Sequence, residues 1–366
     1  MAETDNWSGI ISCGEVKGST GHQIVGLEEI SLTIPSDALN LSEGGHYANC
    51  YLVEDKSGRV YSFETKMPDG NLPADDIASC SCLWQSSPSL LTYLGIDAAA
   101  GKVYFRRNPG ESGNALIGLH SADGTVRWSI HLWFPATALE TRRAGDYIFM
   151  DRNLGAMLSD ADDFSNSSIG LHYQWGRKDP FPSVSEMRGA GNYNHAKVYP
   201  DNISFETAQD GVSQQYADAH PTTYFWGKSA SGKEDWIDVQ DDGLWSSSAS
   251  RSNPCPYGWQ VATRDAFSQF DYRVKEAQYI DKVGITIVDD DGKPVLFAPG
   301  GWYRRTASTT QICSADEVSI WTSTAVANGD FRGSYRFRVT KGSSRGVVSI
   351  YPQRRWGANV RCIKVQ

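Results

Sequence analysis

At 366 residues the chain is long enough for two or three domains, each with a core of its own. Its 40% hydrophobic and 21% charged residues are the proportions of a soluble globular protein, and no run approaches the roughly 18 apolar residues of a membrane span. A formal net charge of −9 disfavours nonspecific binding of the whole chain to nucleic acid.

The start, Met1-Ala-Glu-Thr-Asp-Asn-Trp7, has neither the basic region nor the apolar stretch of a signal peptide, so it reads as a trimmed mature N-terminus. From about residue 27 to 135 the pattern is all β. Glu28–Ile34, Ala48–Val53, Arg59–Phe63, Lys102–Arg106 and Asn114–Leu119 are short and rich in β-branched or aromatic residues. Turn chemistry separates them at Asp55-Lys-Ser-Gly58, Asp69-Gly70, Asn108-Pro-Gly110 and Ala122-Asp-Gly124. The last predicts a tight hairpin between Ala115–His120 and Thr125–Phe134. In that second strand Val126, Trp128, Ile130, Leu132 and Phe134 share one face, which must be buried. Arg127, Ser129, His131 and Trp133 take the other. Short strands with regular turns predict an all-β sandwich of about a hundred residues.

A polar connector, Pro135–Gly145, places the boundary near 140, giving a β-sandwich over 1–139 and a second domain over 140–366. Tyr147–Gly155 reads as a strand running into a loop, and Gly170–Gly176 as a short helix ended by its glycine. Residues 183–252 are rich in Gly, Ser, Asn and Asp with scattered aromatics and little periodicity, the pattern of long loops that bind something. A better-defined helix starts at Thr263 as N-cap, with Asp265 in its first turn and Phe267, Phe270, Val274 and Ala277 as its buried stripe. Strands follow at Ile285–Val288, Pro294–Phe297, Ile320–Ser323, Tyr335–Val339, Val347–Tyr351 and Val360–Val365, so the second domain is α+β. Asp289-Asp-Asp-Gly292 has the acidic start of a calcium loop but lacks its later glutamate; a hairpin turn accounts for it better. Residues 301–366 hold eleven Lys/Arg against three Asp/Glu, a local +8 in a chain of net −9. Those arginines either pair with acidic segments of the same molecule or offer a surface to an anionic ligand.

The seven cysteines are Cys13, Cys50, Cys80, Cys82, Cys255, Cys313 and Cys362, an odd number that leaves at least one thiol unpaired within the chain. Cys80 and Cys82 would share a strand face, which disfavours a bond between them. No zinc-ligand spacing is present, so Cys50 and Cys82 are expected to act as small buried hydrophobes. Cys255 lies just ahead of the second helix and Cys362 in the last strand. A bond between them would close a loop of about a hundred residues, worth roughly 4–5 kcal/mol in the chain-entropy model. Such a bond persists outside a reducing cytosol.

Enzyme signatures are missing: there is no G-x-S-x-G, Walker loop, G-x-G-x-x-G or H-E-x-x-H. His131 and His172 are expected to serve packing or hydrogen bonding. The twelve tryptophans are more informative, because Trp226, Trp236, Trp245, Trp302 and Trp356 fall in polar loops. A flat ring beside hydrogen-bonding groups suits the face of a sugar.

Six ordered motifs carry a family resemblance. They are Asp151-Arg-Asn-Leu-Gly-Ala156, Tyr173-Gln-Trp-Gly-Arg-Lys-Asp-Pro-Phe181, Asn253-Pro-Cys-Pro-Tyr-Gly-Trp259, Ala298-Pro-Gly-Gly-Trp-Tyr-Arg304, Trp321-Thr-Ser-Thr324 and Asn359-Val-Arg-Cys362. Over about residues 147–366 the chain resembles the Fibrobacter succinogenes major paralogous domain in the form common on Bacteroidetes surface proteins, a module related to C-type-lectin-like domains. Ala48-Asn-Cys-Tyr51, Gly113-Asn-Ala-Leu116 and Trp128–Trp133 are similar to the β-sandwich that precedes this module in fimbrillin-like and fimbrial-tip proteins. The resemblance implies a C-type-lectin-like second domain, a disulfide between Cys255 and Cys362, and an extracellular, outer-membrane cell-surface location. It also implies an adhesive or ligand-binding role; for noncatalytic binding of a glycan or host surface ligand the loops at 183–252 and 298–332 would shape the site, with Trp226, Trp236, Trp245, Trp302 and Arg304 as candidate contacts. The sugar-holding triplets of calcium-dependent lectins are absent, so no metal or other cofactor is expected. The alternative is a structural pilus or surface-protein subunit that docks others through its sandwich. A third reading, an oxidase-like enzyme on a lectin-like fold, has Cys313 near Trp321 as its one echo.

Overall fold

The computed structural model describes residues 10–12, 38–160, 166–183, 195–227, 234–280, 283–305, 310–313, 317–328, 331–342, 347–351 and 353–365. Alternating apolar residues turn much of the chain into strand, arranged as several sheets, and helix is sparse. In the N-terminal part the strands are β1 (Ile10–Ser12), β2 (Leu39–Asn40), β3 (Cys50–Leu52), β4 (Val60–Glu64), β5 (Ile77–Gln85), β6 (Leu91–Asp97), β7 (Lys102–Arg107), β8 (Gly113–Ser121) and β9 (Val126–Phe134). They form one sheet in the order β1-β6-β7-β4-β2 and another in the order β3-β9-β8-β5. The sheets share a core that includes Tyr51, Phe63, Phe105, Ile117, Trp128 and Leu132. β5 and β6 are additional to the expected strands, while the expected strand at Glu28–Ile34 lies outside the described residues.

The β8–β9 hairpin forms as expected, with His120 opposite Val126. Asp123 shapes its turn by accepting from the Thr125 N–H at 2.9 Å, and Gly124 takes a φ of 85°. The finding not anticipated is that β9 is buried on both faces. Trp128, Ile130, Leu132 and Phe134 enter the sandwich core. Trp133, on the other face, packs with Cys50, Trp84 and Leu116 against Met150, Leu154, Leu171 and Tyr173 from beyond the connector. A register shift between Cys82 and Trp84 turns Trp84 to this second face, while Cys80 and Cys82 stay with the sandwich core.

The rest of the chain supplies β10 (Thr141–Ala144), β11 (Tyr147–Met150), β12 (His172–Gln174), β13 (Ser204–Thr207), α1 (Gln214–Ala219), β14 (Thr223–Trp226), β15 (Trp259–Val261), α2 (Arg264–Ser268) and α3 (Asp271–Glu276). Then come β16 (Tyr279–Ile280), β17 (Gly284–Val288), β18 (Pro294–Phe297), β19 (Trp302–Arg305), β20 (Thr310–Cys313), β21 (Glu317–Asn328), β22 (Phe331–Thr340), β23 (Val347–Tyr351), β24 (Gly357–Val360) and β25 (Cys362–Lys364). The largest sheet runs β20-β19-β24-β21-β22-β23, with β12 also on β24; a second runs β10-β11-β25-β15. α2 and α3 pack Phe267, Phe270 and Val274 onto them, with Phe267 and Phe337 stacked at 5.0 Å.

Two local expectations are corrected. Gly170–Gly176 is not a helix: His172–Gln174 pairs with Asn359–Gly357 as strand, so sheet pairing overrides the local pattern. The predicted helix after Thr263 is two short ones, although Thr263 does cap the first by accepting from the Ala266 N–H at 3.1 Å. Asp289–Gly292 is a hairpin turn between β17 and β18, with the Asp289 carboxylate accepting from the Asp291 and Lys293 N–H groups. Cys255 and Cys362 are disulfide-bonded, their Cα atoms 6.1 Å apart across a sequence separation of 107. Cys50 is buried in the same cluster as that disulfide, with burial holding its thiol well above the ordinary value. Cys13 lies outside the described residues, and of Cys313 only the backbone, in β20, is described.

Candidate functional site

The five residues expected to touch ligand divide. Trp236 and Trp245 are 1% and 2% exposed, and their indole N–H groups donate to the carbonyls of Trp175 (2.7 Å) and Ser252 (3.0 Å). They are core residues, which corrects their expected place on an open surface. A buried carbonyl partner lets an indole enter the interior of a loop-rich region at little polar cost. Trp226 and Trp302 are half-buried. Arg304 lies in the same strand as Trp302, opposite Gln311, and its side chain lies outside the described residues.

Strand pairing brings Trp302 to Trp356, another of the tryptophans expected in polar loops, and Trp226 to Arg355, which the sequence reading had not grouped with it. β19 meets β24 at Tyr303 and Gly357, which brings Trp302 against Trp356, the residue before β24. Their rings stack with centroids 4.0 Å apart and planes 11° from parallel. Gly357 is required there, since a Cβ would stand 2.9 Å from that of Tyr303. The neighbouring Arg355 lays its guanidinium 4.1 Å from the Trp226 ring centroid and donates to the Gly227 carbonyl at 2.8 Å. It also pairs with Glu234 at 3.2 Å; burial raises the Glu234 carboxyl, and Arg355 opposes that shift. From below, Gln174 donates to the carbonyls of Phe225 (2.8 Å) and Arg355 (2.7 Å), fixing β14 to the turn before β24. The result is an aromatic patch built on consecutive residues: Trp356 stacks on Trp302 and Arg355 covers Trp226, which holds both half-buried indoles in fixed orientation. Such a patch offers flat apolar faces beside polar groups without requiring a mobile side chain to be ordered on binding. The signal for it was the adjacent Arg355, Trp356 and Gly357 after Arg354, but sequence alone does not say which strand they would face.

Among the described residues, arginines of the basic end are engaged within the molecule. Arg336 and Arg338 bridge Glu317 at 3.0 and 2.9 Å, and Arg354 bridges Asp242 at 2.6 Å while covering the Trp175 ring at 4.0 Å. Arg361 is buried, bonded to Asn153 and the Leu296 carbonyl, and burial brings it down to about 9. Of the two readings of this charge, internal pairing is the one realised at these positions.

A second ionic cluster sits between the sandwich and the C-terminal sheets. Asp179 takes Arg177 at 3.2 Å and Lys178 at 2.6 Å, and accepts from Ser129 of β9. Lys178 and Arg251 lie over the Trp128 ring at 4.3 and 5.0 Å, and Arg251 bridges Asp218 at 2.8 Å. Arg177, Lys178 and Asp179 are each no more than 3% exposed, so they brace this seam and no substrate reaches them. His131 and His172 are also buried and bonded, to Asn114 and to the Gly300 carbonyl, each at 2.9 Å.

Among the described residues, no group of three or more His, Cys, Asp or Glu is placed to hold a metal ion, and no helix is long and apolar enough to cross a membrane. By architecture the chain is a β-rich protein of several sheets, in which the Cys255–Cys362 disulfide clasps the last strand to the loop before β15. Comparison with protein-family models, curated proteins and solved structures yields no match.

Proposed function

We propose that the chain is an exported cell-surface protein of the adhesin or fimbrial-tip type, binding a glycan or host surface ligand on the Trp226–Trp302 patch without catalysis. The observation that carries this reading is the stacked, half-buried Trp302 held parallel to Trp356 beside the Arg355-covered Trp226. The disulfide supports an oxidising compartment outside the cytosol. The motif likeness to the Fibrobacter succinogenes major paralogous domain, and through it to C-type-lectin-like domains, supports a ligand-binding C-terminal domain behind a fimbrillin-like one. The test is a glycan array with the wild-type chain and with Trp302→Ala and Trp226→Ala. The expected result is binding that falls about tenfold or more in each variant. A wild-type chain that binds no glycan leaves this reading without support.

One observation favours the second reading, a structural subunit. Among the described residues the strand outside β6 is the short β1, whose Ile10–Ser12 pairs with Gly95–Asp97, and a short strand at a sheet edge is a place where a partner can add one. Capture of a surface-protein subunit that fails when Thr92 is replaced by proline would support it.

A further inference from the structure

The segment Asn253-Pro-Cys-Pro-Tyr-Gly-Trp259 is explained only in part by the disulfide. Asn253 is committed to the local fold, donating to the carbonyls of Ser248 and Trp259 and accepting from the Cys255 N–H. Tyr257, by contrast, is 54% exposed. It stands at a cleft of about 270 Å³ where the residues before β3 meet the loop before β15. Ala48, Pro68 and Tyr47 line it from the sandwich side; Ser248, Pro256 and Tyr257 line it from the other.

Both tyrosine rings are set before anything binds. Tyr47 donates to Glu64 at 3.2 Å and accepts from Lys66 at 3.0 Å, and the Lys66 ammonium lies 4.8 Å from its ring centroid. Tyr257 is stacked on His46 with centroids 4.1 Å apart and planes 21° from parallel. None of the residues lining the cleft is Asp, Glu, Lys, Arg or His. Glu64 and Lys66, the charges bonded to Tyr47, pair with each other at 3.0 Å. A charged ligand group would lose hydration there and gain no counter-ion. The volume is at the lower limit of small-molecule sites, enough for one ring and not for an extended oligomer. Fixed aromatic faces with tyrosine and serine hydroxyls suit a group that is flat on one side and hydroxylated at its rim.

We infer that this cleft binds a single uncharged sugar residue stacked on Tyr257, at the seam between the sandwich and the C-terminal sheets. The site is separate from the Trp226–Trp302 patch and does not rest on it. Because both sides contribute lining residues, an occupant binds only when the two are docked, so it raises the unfolding temperature of the whole chain.

The experiment is saturation-transfer NMR on the whole chain with a panel of neutral methyl pyranosides and, for comparison, the methyl glycoside of an anionic sialic acid. At least one neutral pyranoside should bind and raise the melting temperature. Tyr257→Ala should weaken it about tenfold and Tyr257→Phe less than about threefold, in the otherwise wild-type chain and in a Trp302→Ala background alike. Tyr257 is exposed, so its variants fold; near-ultraviolet circular dichroism and an intact disulfide confirm that. The inference is overturned if no neutral pyranoside binds, if the anionic sugar binds more tightly, or if Tyr257→Ala and Tyr47→Ala bind undiminished. Binding that disappears only with Trp302→Ala would overturn it while leaving the patch reading intact.

Discussion

Asp218 accepts from Arg251 at 2.8 Å with Lys178, Arg177 and Asp179 close by, yet burial outweighs the cations and lifts its carboxyl from 3.8 to about 6. A raised folded value means that its stabilising contribution is full below the unfolded value and is lost as pH rises through about 6. Asp218→Asn should therefore remove a pH dependence on the order of 3 kcal/mol across that window, read as the difference between variant and wild-type urea curves at pH 4 and pH 8. Parallel curves at both pH values would contradict this. His131 and His172 act in the opposite sense: burial lowers them to about 3 and about 4, so their contribution is present above 6.5 and lost on acidification. That acid limb should survive in Asp218→Asn. At Cys50 the raised thiol value suppresses the thiolate, the reactive species. Iodoacetamide at pH 8 should leave Cys50 unmodified in the native protein and label it after urea unfolding; rapid native labelling seen by peptide mass spectrometry would refute its burial. None of these shifts is legible in sequence, because the first cause of each is burial, which the fold and not the local sequence decides. The same limit governs the tryptophans: Trp236 and Trp302 have equally polar local settings, and only the long-range partner decides which is interior.

Among the elements, β9 shows where periodicity informs and where it stops. Alternation put Val126, Trp128, Ile130, Leu132 and Phe134 on one buried face; the last four are buried in the core, while Val126, beside the turn, is only partly buried. For the other face, Arg127, Ser129, His131 and Trp133, alternation says nothing of what covers it, and all except Arg127 are buried. Polar side chains can occupy an interface when each finds a partner, as Ser129 finds Asp179 and His131 finds Asn114. Trp133→Ala removes a ring and its bond to the Ala156 carbonyl, and should cost about 3–5 kcal/mol by denaturant titration. Arg127→Ala breaks only a partly exposed bridge to Asp76 and should stay within about 1 kcal/mol. Similar losses for the two would mean that the second face is not packed. Local signals read well at the hairpin turns of Asp123-Gly124 and Asp289–Gly292 and at the Thr263 cap, because a side chain there bonds its own backbone. They failed at Gly170–Gly176, where β24, almost 190 residues on, claims the segment as a strand partner.

For the molecule as a whole, the sequence located a change of character near residue 140 but carried no mark of the packing across it. Cys50, Trp84, Leu116 and Trp133 share one cluster with Met150, Tyr173, Trp175 and the Cys255–Cys362 pair. The Asp151–Ala156 segment closes this seam. Asn114 donates to the Gly155 carbonyl at 2.9 Å, and Gly155 holds a φ of 82° with Leu171 where a Cβ would be. Separating the two parts would expose large apolar side chains and leave the Arg177–Lys178–Asp179 cluster without Ser129, so neither part keeps its full stability alone. Calorimetry of the oxidised chain should accordingly give a single transition whose calorimetric and van't Hoff enthalpies agree. Two resolved peaks would show that the seam is too weak to couple them. Replacing Cys255 and Cys362 together by alanine should lower stability by about 4–5 kcal/mol, because the bond closes a long loop in the unfolded chain. Since the seam contains both cysteines, that loss should appear as a shift of the same single peak; a second peak in the variant would mean that the disulfide, and not the shared core, couples the sandwich to the C-terminal sheets.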